Sequence, residues 1–158
     1  LKYLYYDNEP VNLNWHTVAK LDAREKIMVP FRNPLDCISS WHLYPSSYPL
    51  DADIRYYLRF HTAVLEKISK VVLMDFDLFT KDLQYIKTKV SDNYGLSTDS
   101  TATIEQIKES MLSDGKTINL PRNNKEELDA VKAELQGMAG FNECVKLYNA
   151  LKSSSIQD

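Results

Sequence analysis

The chain has 158 residues, a net charge of −3, and hydrophobic and charged fractions of 44% and 26%, the make-up of one globular domain able to bury roughly 70% of its unfolded surface without a staple. That charge excludes a general attraction for nucleic acid or anionic membranes, so any polyanion site must be local, built from a few arginines or lysines. The longest mostly apolar stretches, Ile27–Phe31 and Val71–Met74, are too short to span a bilayer, and no basic-then-apolar leader opens the chain.

Three short apolar runs read as strands: Val11 to His16, Lys26 to Phe31 and Lys70 to Phe76. The last two are continuous enough for a parallel sheet buried on both faces. Pro30 removes a ladder donor, so the ladder is expected to end or bulge just before Arg32. Asn33-Pro34 then supplies an N-cap and a first-turn proline, and Leu35, Ile38, Trp41 and His42 follow at helical spacing. Pro45 and Pro49 close that helix. Asp51 or Asp53 is placed to cap the next, along which Ile54, Tyr57, Leu58, His61, Val64, Leu65 and Ile68 form one stripe. Another helix is predicted from about Thr80 to Tyr94, with Leu83, Ile86 and Val90 inward and Gly95 as the stop. A polar loop, Ser97 to Ala102, precedes a short helix around Ile104, Ile107 and Met111. Two final helices, Lys125 to Gln136 and Phe141 to Lys152, meet at Gly137 and Gly140. Strand–helix alternation followed by helices alone predicts an α/β fold, a small parallel sheet flanked by helices with a helical C-terminal half.

The sharpest local feature is Ile27-Met-Val-Pro-Phe-Arg32-Asn-Pro-Leu-Asp36-Cys-Ile-Ser39-Ser40-Trp41. It combines a buried strand, an arginine at its carboxyl end, a capped turn and a helix bearing a serine eight positions later. Open parallel sheets bind ligands at the carboxyl ends of their strands, and a guanidinium fork there suits a phosphate. This segment resembles the sulfotransferase family, in which an apolar strand runs into Arg-(Asn/Asp)-Pro-x-Asp and then a helix with a serine and an aromatic residue. The resemblance implies a partial P-loop-NTPase-like architecture. It implies that Arg32 and Ser40, or Ser39 in a register shifted by one, hold the 3′-phosphate of phosphoadenosine phosphosulfate or adenosine 3′,5′-bisphosphate. The activity implied is transfer of a sulfuryl group to a hydroxyl or amine acceptor. His16 matches the family's strand-end histidine, which takes the acceptor's proton, although Trp15 replaces the usual threonine. Lys70 to Leu78 is similar to the family's later strand with its acidic-Leu turn, Gly95-Leu96 to the pair closing the next helix, and Leu147-Tyr148 to the terminal helices of bacterial members.

The family's Gly/Ser/Thr-rich loop bearing a lysine, which cradles the 5′-phosphosulfate, has no match, since no glycine precedes Gly95. With Leu1 in place of an initiator methionine, the expectation is a single sulfotransferase-like domain over residues 1–158 that lacks its natural N-terminus. A non-catalytic nucleotide- or phosphate-binding module is the alternative. A nucleotide kinase is disfavoured because no Gly-x-x-x-x-Gly-Lys-Ser/Thr stretch exists.

Other residues carry simpler readings. Taken alone, Arg32 would cap a neighbouring helix or pair with Asp36, and Ser39 and Ser40 would be small residues packed against a sheet. His42 and His61 lie on apolar stripes as core histidines, and the three histidines have no metal-type spacing. Asp75 and Asp77 at a strand end are an acid–base or metal pair or, more commonly, helix caps. Cys37 and Cys144 lie far apart in sequence, and free thiols in a reducing, cytoplasmic compartment are expected.

Overall fold

The computed structural model describes residues 27–43, 48–97, 103, 106 and 125–155. Strand β1 (Ile27–Phe31) leads into helices α1 (Pro34–His42) and α2 (Leu50–Glu66), then strand β2 (Val71–Asp75). A single-turn helix α3 (Phe76–Phe79) and helix α4 (Leu83–Tyr94) follow, and helices α5 (Lys125–Gly137) and α6 (Phe141–Ser155) close the described chain. The strands pair in parallel with Ile27 opposite Val71 and Phe31 opposite Asp75. Parallel pairing requires a crossover, which α1 and α2 provide. The sheet has two strands among the described residues, and the strand expected from Val11 to His16 lies outside them.

Alternating residues of the two strands point to one face. Val29, Phe31, Val71 and Leu73 pack there with Tyr56, Phe60 and Val64 of α2 and Leu151 of α6. On its other flank α2 presents Ile54 and Tyr57 to Ile38, Leu135, Phe141 and Cys144. It thus serves two clusters at once, so its buried surface is wider than the predicted stripe and includes Tyr56, Phe60 and Ala63. Strand β2 is buried through Met74, as a continuous apolar run implies. The expectation of burial on both faces fails for β1, where Met28 is half-buried and Pro30 exposed. The ladder nevertheless stops at Phe31, just before Arg32.

Asn33 caps α1, its Oδ1 accepting the Leu35 N–H at 2.9 Å, with Pro34 at the first helical position. The cap of α2 differs from expectation. Pro49, at φ −68° and ψ 148°, occupies it without a side-chain bond, which places both aspartates inside the first turn. There Asp51 pairs with exposed Arg55, and Asp53 turns to His42.

The helix expected from Thr80 to Tyr94 starts later. Asp82 Oδ1 accepts the Gln84 N–H at 2.9 Å, starting α4 at Leu83. Leu83, Ile86 and Val90 are half-buried, and Gly95 ends the helix at φ +61°, a left-handed conformation that favours glycine. Of the short helix expected around Ile104, only Thr103 and Gln106 are described. They exchange backbone-to-side-chain bonds of 2.8 and 3.2 Å, a reciprocal capping box. Between α5 and α6, Gly140 has φ +89°, and a Cβ there would lie 3.3 Å from Ile54 Cγ2. No described helix is long and apolar enough to cross a membrane.

Candidate functional site at the carboxyl end of the parallel strands

Both strands end at the same edge. Phe31 and Asp75 are register partners, so Arg32 leaves β1 beside the point where Asp75 and Phe76 leave β2. Three features define the arginine's surroundings. The Tyr57 hydroxyl donates to its backbone carbonyl at 2.9 Å, tying the turn to the middle of α2. Its guanidinium carbon lies 4.8 Å from the centroid of the Phe76 ring, within cation–π range. Its Nε is buried and has no hydrogen-bond partner among the described residues.

No carboxylate neutralises this arginine among the described residues. Asp36 instead receives Lys132 Nζ of α5 at 2.6 Å, so the simple pairing of Arg32 with Asp36 is absent. Asp75 caps α3, its Oδ1 accepting the Asp77 N–H at 2.9 Å, while its own N–H donates to the Tyr85 hydroxyl at 3.0 Å. A buried N–H without an acceptor costs about 1–3 kcal/mol, more for a charged group, and such atoms are uncommon in native proteins. The guanidinium fork suits a phosphate group at the carboxyl end of parallel strands, with no carboxylate paired to it among the described residues.

The two serines differ. Ser39 is fully buried against the fold, and its hydroxyl donates to the Leu35 carbonyl at 2.6 Å, one helical turn back. Ser40 is half-buried and its hydroxyl makes no hydrogen bond among the described residues. Cys37, one turn after Asn33, lies close enough to Arg32 for the cation to favour its thiolate, yet burial dominates and pushes the thiol up to about 11. His16 lies outside the described residues.

The other histidines are structural. His61 is buried, with Nδ1 donating to the Tyr57 carbonyl at 2.9 Å and its ring 4.0 Å from that of Tyr57. Burial lowers its pKa to about 4, against the opposing effect of that bond. His42 Nδ1 meets Asp53 Oδ2 at 2.9 Å, joining the end of α1 to the start of α2. Burial raises the Asp53 pKa, and the bond to His42 opposes it. Trp41 is half-buried against Tyr56, with centroids 4.7 Å apart, as part of the sheet-side core.

Sequence reasoning missed Tyr57 and Phe76 as parts of this edge. Tyr57 lay on the predicted stripe, but a bond to a carbonyl 25 positions away has no local signature. Phe76 stood between two aspartates that drew the chemical reading, and its partner is set by strand register alone.

The fold and site define an α/β protein with an arginine at the shared carboxyl end of its parallel strands. In comparisons with known protein families, curated proteins and solved structures, this chain matches none.

Proposed function

We propose that the chain is a sulfotransferase-like domain whose Arg32 and Ser40 hold the 3′-phosphate of phosphoadenosine phosphosulfate. The observation that carries this reading is the buried, unpartnered Nε of an arginine at the carboxyl end of a parallel strand, with no carboxylate paired to it among the described residues. Ser40 is preferred to Ser39 because the Ser39 hydroxyl already donates within its own helix. In the transfer, the acceptor's oxygen or nitrogen would bond to sulfur as the bond from sulfur to the 5′-phosphate oxygen breaks. The bisphosphate would leave with the electron pair, and His16 would take the acceptor's proton.

A second reading is a non-catalytic nucleotide-binding module, in which the same Arg32 edge holds a phosphate without transfer chemistry. Calorimetry with adenosine 3′,5′-bisphosphate tests both. Binding is expected, Arg32→Ala should abolish it, and Arg32→Lys should weaken it because a point charge cannot reproduce the fork. No binding at millimolar ligand would refute both readings. Turnover with the sulfate donor separates them.

A further inference from the structure

The proposed phosphate site contains an aromatic residue with no assigned role. We infer that Phe76 is a positioning residue for Arg32, holding the guanidinium face-on so that its N–H edge is presented to the ligand's phosphate. This rests on the phosphate-binding reading of Arg32 and adds a second side chain to it.

The geometry begins with strand register. Because Phe31 pairs with Asp75, the residues after each, Arg32 and Phe76, emerge side by side at the sheet's edge. Asp75 caps the single turn that follows, and the Thr80 hydroxyl bonds back to the Phe76 carbonyl at 2.8 Å, which fixes the ring's backbone at both ends of the turn. The ring is half-buried and lies 4.8 Å from the guanidinium carbon.

An arginine side chain has four rotatable bonds and much rotamer entropy. Among the described residues no ion pair fixes it, and the ring of Phe76 is what holds the guanidinium there. A ring quadrupole attracts the face of the cation and leaves its N–H groups directed outward in the plane. It also withholds the cation from water without giving it an acceptor, in keeping with the buried, unsatisfied Nε. An arginine so held meets an incoming phosphate with less ordering left to do, which is how preorganisation raises affinity.

The test has one readout that needs no ligand and one that does. In 15N NMR, the Arg32 Nε–H proton should be shifted upfield by the ring current and should exchange slowly with solvent. Phe76→Leu should abolish both signatures, and Phe76→Tyr should keep them. In calorimetry with adenosine 3′,5′-bisphosphate, Phe76→Leu should weaken binding roughly threefold to thirtyfold, the range of a cation–π contact. Phe76→Tyr should bind within about twofold of the wild type, and this ring-retaining variant separates positioning from loss of packing. If Phe76→Leu binds as the wild type does while Arg32→Ala abolishes binding, the positioning role is overturned and the phosphate reading stands. An Arg32 signal unchanged by Phe76→Leu overturns it as well. If the wild type itself does not bind, the phosphate reading falls and the positioning role falls with it, whatever the NMR signature shows.

Discussion

Replacing Tyr57 by phenylalanine removes one oxygen from the middle of the fold and tests whether α2 anchors the Arg32 turn. The Tyr57 hydroxyl donates to the Arg32 carbonyl at 2.9 Å across 25 positions. The ring is fully buried between Ile38, Ile54 and Leu135 and packs on His61 at 4.0 Å, so it should stay in place without its hydroxyl. The loss then includes the bond to the Arg32 carbonyl, leaving a part-buried acceptor short of a donor, at a cost of about 1–2 kcal/mol. For a chain of this size that should lower the melting temperature by roughly 3–6 °C. Urea denaturation should show the midpoint falling with an unchanged slope. Tyr148→Phe is the control. Its half-buried ring meets Phe31 at 5.8 Å, and its hydroxyl has no hydrogen bond among the described residues, so the change should stay within about 0.5 kcal/mol. Because the anchored carbonyl belongs to the proposed phosphate-binding arginine, Tyr57→Phe should also weaken adenosine 3′,5′-bisphosphate binding. Equal stability of the two variants would refute the anchoring argument.

Two further outcomes follow from buried titratable groups. His61 is neutral in the folded protein with a pKa lowered to about 4, whereas the unfolded chain protonates near the ordinary 6.5. The unfolded state therefore binds more protons between those values, and stability present above pH 6.5 is lost as the pH falls towards 4, by at most about 3 kcal/mol. Urea midpoints measured across that window should decline in the wild type and decline less in His61→Phe. A parallel decline would refute the assignment. The thiols of Cys37 and Cys144 are pushed up by burial to about 11 and about 12. A thiol-specific disulfide reagent at pH 7.5 should label neither in the folded protein within minutes and both in urea. Rapid labelling of either in the native state would count against the packing of α1 on α6.

Much of the local structure was legible because its causes are local. Asn33-Pro34 started α1 through a side-chain oxygen that accepts the N–H two residues on, and Gly95 stopped α4 by tolerating a positive φ. The run Val71-Val-Leu-Met made a buried strand because every position is apolar. The errors arose where two local signals competed. Asp51 and Asp53 are both good caps, yet Pro49 already held an extended conformation ahead of them, and Asp53 was drawn to a histidine eleven positions back. Thr80 suits a helix start by pattern, but its hydroxyl closes the turn before, and Asp82 begins the next helix.

The candidate site was half legible for the same reason. Its cation could be read from the sequence, because an arginine after an apolar strand and before a capped proline is a contiguous pattern. What that cation does not touch could not. Asp36, the nearest carboxylate in sequence, is taken by a lysine on α5, and the ring beside the guanidinium comes from the first residue of α3, just past the neighbouring strand. Backbone chemistry acts over a few residues and leaves its mark in adjacent letters, whereas charge pairing depends on distances that crossovers and helix packing set. The elements follow from the first, and the arginine's surroundings from the second.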